Sequence, residues 1–215
     1  MKRMSIAVAM MLVPAALLAQ GRGTGSVQAS AHANAQADAH ANAHAAMKTD
    51  AQATVPSSFS ADARGKLEAT YATARQHNLP EAAIQHRVAE GQAKGASEAA
   101  IVTAAGKVEA NMQAAQEAMV KAGHQHPTDA EIESAAGAMD RGASAAQIGT
   151  VASHAQNGRS LDVAFDVLTK LSESGMPVTT ALAQVQAKLD ANASNASIAS
   201  LASKGKAGLH VGGGR

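Results

Sequence analysis

The densest apolar pattern in the chain lies between Ser160 and Gly175. Six large apolar side chains fall in this stretch: Leu161, Val163, Phe165, Val167, Leu168 and Leu171. At 3.6 residues per turn, its polar residues form one narrow stripe: Asp162, Asp166, Thr169 and Glu173. Ser160 is a suitable N-cap, Gly175 suits a left-handed C-cap, and Pro177 prevents the helix from continuing. The pattern predicts a helix that is buried on most of its circumference, at the centre of an all-helical domain.

A short segment recurs along the chain and combines a helix stop with a helix start. Each copy has a Gly or Asn that tolerates positive φ, then a small or apolar residue, then a Ser N-cap or a Pro for the first turn. The copies begin at Asn78, Gly95, Gly142, Gly175 and Asn192. Apolar or aromatic residues lie seven positions before each copy and six positions after it. We therefore expect corners between packed helices.

The spacing of these corners repeats. Asn78 and Gly95 are 17 residues apart, as are Gly175 and Asn192, and 97 residues separate the two pairs. Such a repeat is typical either of an old duplication or of a loose array of helical hairpins.

These helix stop and start signals predict about eight short helices in a helical-hairpin array or an irregular bundle. Their expected positions are 61–77, 80–94, 98–122, a helix after the capping box at 128–131, a short helix from 144 closed by Asn157-Gly158, the central helix, one from 177, and a short last one. Apolar residues from Ile101 to Ala122 alternate at spacings of four and three, which is a heptad seam. Gly91 and Gly95, four positions apart, favour a close helix crossing.

The two ends differ from this helical part. Lys2 and Arg3, an apolar run over 6–18 and the small Ala19 are typical of a secretory signal peptide at 1–19. Within 20–58, residues 29–46 alternate Ala with His, Asn, Gln and Asp, which predicts that 20–58 is a disordered linker. The all-helical domain is expected at 59–205, and a flexible glycine-rich tail at 206–215. We expect export to the periplasm or medium of a bacterium, with no transmembrane segment in the mature chain.

The amino-acid composition excludes some classes of function and disfavours others. The chain has no cysteine, so disulfides and a lipoprotein anchor are excluded. Cleavage after Ala19 changes the formal charge from +1 to about −1, which gives no electrostatic basis for binding nucleic acid. Aromatic residues are limited to Phe59, Tyr71 and Phe165, so stacking platforms for sugars or bases are disfavoured.

Histidines are the candidate metal ligands. His32, His40 and His44 lie in the linker, and His124 and His126 frame a loop as H-Q-H. Neutral imidazole binds zinc, copper or nickel, but a structural site needs four ligands held in place. With no cysteine and no carboxylate at ligand spacing, solvated loop histidines are the favoured interpretation. His77, His86 and His154 are expected at surfaces or helix ends.

No catalytic constellation stands out. Asp162 and Asp166 could form an acid and base pair, but Lys170 continues the same stripe and favours an ordinary ion-pair ladder. Ser153 and His154 are sequence neighbours and point in different directions on a helix. The three Gly-Lys pairs lack the rest of a phosphate loop. We predict neither catalytic residues nor a cofactor.

The segment R-V-A-E-G-Q-A-K-G-A-S-E-A-A-I at 87–101 and the segment G-R-S-L-D-V at 158–163 resemble exported bacterial all-helical proteins with recurring helix-corner-helix segments. The resemblance covers about 60–205 and implies secretion and an all-helical domain, with no assigned activity.

Two functions remain open. The favoured one is a non-catalytic exported helical protein that acts as a binding, scaffold or envelope-associated module, with a protein or cell-envelope partner. The alternative is a weak periplasmic metal binder that uses the histidine-rich linker.

Overall fold

A computed structural model describes residues 55–154 and 159–208, with side chains to residue 203, and this part of the chain is all-helical. Its eight helices are α1 Ala61–Gln76, α2 Glu81–Ala93, α3 Glu98–Lys121, α4 Asp129–Asp140, α5 Ala145–Ala152, α6 Asp162–Glu173, α7 Val178–Asp190 and α8 Asn195–Gly208. The predicted all-α fold class is confirmed. The predicted signal peptide, most of the linker, Asn157-Gly158 and the end of the tail lie outside the described residues.

The helices are joined by corners with a shared hydrogen-bond pattern. At the first glycine corner, Gly95 has φ +65, its amide donates to the Gln92 carbonyl, and the Ala96 amide donates to the Gly91 carbonyl. This is the Schellman arrangement, which satisfies carbonyls that a helix end leaves without partners. It recurs with the positive-φ residues Asn78, Gly95, Gly123, Gly142, Gly175 and Asn192. All five predicted corners are confirmed, and Gly123 adds a sixth.

The residues that flank the predicted corners build the core. Seven positions before them lie Tyr71, Val88, Ala135, Leu168 and Val185, and six positions after them lie Ile84, Ile101, Ile148, Ala181 and Ile198. All ten are at most 3% exposed. Because each corner fixes where two helices start and stop, the same short segment also aligns their apolar faces.

Two central helices organise the packing. The long α3 contacts α1, α2, α4 and α5, whereas α6 contacts α4, α7 and α8. The predicted seam of α3 faces the core, with Ile101, Ala105, Met112, Ala115 and Met119 buried. Phe165 of α6 is the largest fully buried side chain among the described residues. The central position predicted for α6 is confirmed, but α3 shares that role.

Gly91 lies at the close helix crossing that the sequence indicated. A Cβ atom at this position would lie 2.7 Å from Cγ1 of Ile101, so the absence of a side chain lets α2 approach α3. Gly95 has no atom within 4 Å of the same point, so it acts at the corner and not at the crossing.

Three local expectations differ from the structure. Ser160 is not the N-cap of α6: that position is Leu161, which makes no side-chain cap, and the Ser160 hydroxyl donates to Oδ1 of Asp162. The short helix α5 already ends at Ala152, where its seam of Ile148 and Val151 is complete. The last helix is not short, because it continues to Gly208, beyond the domain end expected at 205.

The repeat seen in the corner spacing extends to the packing. In each of the units α1–α3 and α6–α8, all three helices contact one another. Positions 97 residues apart are buried in both units: Leu67 and Ala164, Tyr71 and Leu168, Ala74 and Leu171, Ile84 and Ala181, Val88 and Val185, Ile101 and Ile198. The two units therefore share one packing pattern. At several equivalent positions, a bulky residue in one unit corresponds to a smaller residue in the other.

Candidate binding cleft

An open cleft of about 460 Å³ lies over the middle of α3, between α2 and α4. Its walls come from one face of each helix: Ala83, His86, Arg87 and Glu90 of α2, Val108, Asn111 and Met112 of α3, and Glu133, Ala136, Gly137 and Asp140 of α4. The volume falls in the range of small-molecule and peptide pockets. The cleft exists because α2 and α4 both pack on α3 and leave its middle uncovered between them.

The floor of the cleft is apolar and its rim is charged. Met112 is fully buried and Ala136 nearly so, and Ala83 and Val108 pack against the same core. On the rim, Arg87 donates to Oδ2 of Asp140 at 3.4 Å and to Oε2 of Glu90 at 3.2 Å. The first of these ion pairs crosses the cleft and links α2 to α4.

Asp140 forms ion pairs with two positively charged side chains. The Lys107 amine lies 2.7 Å from its Oδ1 atom, on the opposite side from Arg87. The hydrogen bond from Lys107 holds the pKa of the Asp140 carboxyl below its usual range, against the opposing effect of partial burial. The hydrogen bond from Lys94 similarly lowers the pKa of Glu90. Both carboxylates are therefore charged at neutral pH, and the rim presents both signs.

A second cluster centres on Glu131, which is only 1% exposed. Its Oε2 atom accepts hydrogen bonds from the Thr128 amide at 2.8 Å, the Thr128 hydroxyl at 3.0 Å and Nε2 of His124 at 3.0 Å. Its Oε1 atom accepts the Leu161 amide at 2.9 Å, with the Ser160 hydroxyl at 3.5 Å. Burial raises the pKa of this carboxyl, but the hydrogen bonds outweigh burial and the pKa lies below its usual value.

The capping box at Thr128 and Glu131 was visible in the sequence and is confirmed. The rest of the Glu131 cluster was not. Leu161 is 30 residues away, and the packing of α4 on α6 brings its amide to Oε1 of the carboxylate. His124 is 7 residues away, in the loop before α4, and reaches Oε2.

The two described histidine candidates, His124 and His126, do not form a metal site. The expectation of a solvated loop histidine is wrong for His124, whose side chain is 17% exposed and lies 3.0 Å from the Glu131 carboxylate, because the fold brings that carboxylate next to the loop. His126 is exposed in the same loop. His32, His40 and His44 lie outside the described residues. Within 55–154 and 159–208, no three His, Asp or Glu side chains are arranged to hold a metal ion.

The other singled-out residues are dispersed. His77 is exposed at the end of α1, His86 is exposed beside the cleft, and Nδ1 of His154 lies 3.6 Å from Oδ1 of Asp190. Asp166 and Lys170 make no ion pair with each other, so the expected ladder on α6 does not form. The cleft residues were not singled out as a site, since they converge only through tertiary packing.

The surface outside the cleft offers few other binding features. Phe59, Tyr71 and Phe165 are all buried, so none presents a ring for stacking. In the part of the chain that the structure describes, Val120 is the only large hydrophobic side chain that is exposed. None of the described helices has both the length and the apolar character needed to cross a bilayer.

Comparisons with known proteins do not indicate a function for this chain. No protein-family model matches the chain, and neither a curated protein nor a solved structure matches it.

Proposed function

We propose that this chain is an exported, non-catalytic binding module whose cleft between α2, α3 and α4 holds a short segment of a protein partner. The observation that carries the proposal is the combination of an apolar floor with a rim of both charge signs. Export is supported by the start of the chain, where Lys2 and Arg3 precede the apolar run.

The chemistry of the rim matches a peptide. A peptide segment offers amide donors, carbonyl acceptors, side-chain charges and small apolar groups within a few ångströms of one another. The cleft offers donors on Arg87 and Asn111, acceptors on Glu90 and Asp140, and an apolar surface around Met112. A purely anionic or purely cationic ligand would be complementary to only one of the two charge signs on the rim.

The rim ion pairs are easily exchanged. The side chains of Arg87 and Asp140 are 36% and 25% exposed, and ion pairs at such partly hydrated positions contribute little net stability. A ligand carboxylate could replace Asp140 beside Arg87, or a ligand cation could replace Arg87 beside Asp140, at small cost. The rim can therefore open for a ligand without unfolding the domain.

Other partner classes fit less well. Sugars and bases are commonly bound on aromatic faces, and all three aromatic residues are buried. Membrane surfaces are bound through exposed apolar residues or a basic patch. Over the described residues, only Val120 is a large exposed apolar side chain, and the net charge of the chain is nearly neutral, so neither mode is supported.

The test uses short random peptides displayed on phage and selected on the mature protein. We compare Asn111→Trp, which fills the cleft, with Ala110→Trp, which adds the same ring at the exposed neighbouring position. Selected peptides should bind Asn111→Trp at least about tenfold more weakly than wild type and should bind Ala110→Trp as wild type does.

Melting temperatures of both variants establish that each is folded before affinities are compared. Peptides that bind both variants equally would place the binding surface outside the cleft. Failure to select any peptide would contradict the proposed class of partner. Adding zinc in a parallel selection tests the alternative, because a metal-binding function predicts that enrichment depends on zinc and on the segment 29–46.

A further inference from the structure

The start of α6 has no cap of its own. Its N-cap residue, Leu161, has an apolar side chain that is fully buried, so it cannot accept a hydrogen bond from the first turn. Helix starts leave amide groups without intrahelical partners, and these groups are normally satisfied by a nearby side chain or by water. Here the Leu161 amide donates to Oε1 of Glu131 at 2.9 Å, and Glu131 belongs to a different helix.

The same carboxylate also caps its own helix. Oε2 of Glu131 accepts hydrogen bonds from the amide and hydroxyl of Thr128 and from the imidazole of His124. Since Oε1 accepts the Leu161 amide, both oxygens have donors. The titratable groups that face it are His124, from the loop before α4, and Asp162 of α6, which lies beyond the Ser160 hydroxyl. One buried side chain thus joins the α3–α4 loop, the start of α4 and the start of α6.

Protonation of Glu131 removes acceptor capacity from a carboxylate on which each oxygen faces a backbone amide, that of Thr128 or Leu161, which can only donate. A carboxylic acid has one oxygen that carries a proton, and that oxygen becomes a poor acceptor. The hydroxyls of Thr128 and Ser160 can turn to accept the proton, but the amide of Thr128 or of Leu161 loses its acceptor. A buried donor that loses its acceptor is costly, so the elements that can move apart will do so. Thr128 is tied to Glu131 by three residues of chain, whereas Leu161 belongs to another helix.

We propose that Glu131 is an acid-released latch: protonation of its carboxylate frees the start of α6 from α4 while the rest of the helical array stays folded. The inference stands on the buried carboxylate, its donors from three segments and the missing cap of α6. It does not depend on the proposed binding function.

The direction of the pH dependence follows from the hydrogen bonds. Because they lower the pKa of the folded-state carboxyl, the latch is fully formed above the pKa that Glu has in the unfolded chain. It is lost as the pH falls through the lower folded-state pKa. Release is therefore expected in acid, below the usual titration range of glutamate.

The experiment follows amide hydrogen exchange in the full mature chain as a function of pH. Protection of the Leu161 amide in wild type should fall in acid before circular dichroism reports loss of helix. In Glu131→Gln, the same amide should already exchange at least about tenfold faster at neutral pH, as expected for loss of a bond to a charged acceptor, and its protection should no longer change in acid.

Glu117→Gln is the matched control, because Glu117 is an exposed carboxylate on α3 that pairs with Gln113. It should keep the wild-type pH profile. If Glu131→Gln does not fold, the wild-type titration alone decides. Protection of Leu161 that persists until the whole domain unfolds would overturn the latch, as would a Glu131→Gln profile identical to that of wild type.

Discussion

Replacement of Phe165 by alanine tests whether α6 organises the fold. Phe165 is fully buried, lies in the middle of the helix and is the largest side chain in the described core. Around it, α6 contacts α4, α7 and α8, so few of its neighbours can collapse into the space that the ring leaves. The substitution therefore combines lost burial with a cavity.

The magnitude follows from the size of the ring. A buried aromatic side chain removes roughly 150–250 Å² from water, which corresponds to about 4–6 kcal/mol at about 25 cal/mol per Å². Alanine retains part of this, and measured Phe→Ala substitutions cost about 3–5 kcal/mol. For a domain of this size, that loss lowers the melting temperature by roughly 6–20 °C. Since domains are stable by only about 5–15 kcal/mol, the variant should remain folded with a small margin.

Urea unfolding followed by circular dichroism gives the change in free energy directly. Val120→Ala is the control, because Val120 is 37% exposed on α3 and its truncation should change stability by less than about 0.5 kcal/mol. A Phe165→Ala variant that melts within a degree or two of wild type would refute the central role of α6.

Three further predictions concern separate parts of the chain. Gly91→Ala should destabilise by about 1–3 kcal/mol because the new methyl group meets Ile101, whereas Gly106→Ala, with no atom within 4 Å, should stabilise by about 0.4–1 kcal/mol in the same urea assay. For the alternative, a weak metal binder that uses the linker, we expect calorimetry to give a zinc or nickel Kd no lower than about tens of micromolar, and deletion of 29–46 to leave the melting temperature unchanged. Submicromolar, stoichiometric binding that is lost on deletion would reverse the order of the two functions. The intact mass of exported protein should match a chain that begins near Gln20, and a mass that retains 1–19 would contradict the signal peptide.

The corners and the core could be predicted because their information is local. A residue that tolerates positive φ, followed two positions later by Ser or Pro, fixes both a helix end and the next helix start. The apolar positions at fixed distances from Gly95 or Gly175 then show which face is buried. These rules use only a few neighbouring residues, so they hold before any tertiary structure is known.

The start of α6 shows where such rules fail. Ser160 has the chemistry of an N-cap, but the helix begins one residue later than a Ser160 cap would require, and its hydroxyl donates to Asp162 instead. The amide of the N-cap residue Leu161 is held by Glu131 of another helix. A buried carboxylate that satisfies two helix starts depends on contacts between residues 30 positions apart, which periodicity does not encode.

The cleft was missed for a related reason. Arg87, Glu90 and Asp140 are ordinary charged residues on the outer faces of their helices, where surface charge is expected. Only the arrangement of α2 and α4 on either side of α3 places them around one opening. The sequence indicates which faces are polar, but it does not show which polar faces meet.

The binding cleft is tested most directly by amide chemical-shift mapping of the full mature chain with a phage-selected peptide. The account predicts the largest shifts at the cleft walls, at Arg87, Asn111 and Gly137, with saturation at one peptide per chain. It also predicts that Asn111→Trp abolishes these shifts and that Ala110→Trp preserves them. Shifts concentrated on α7 and α8, or unchanged by Asn111→Trp, would contradict the assignment of the cleft as the binding site.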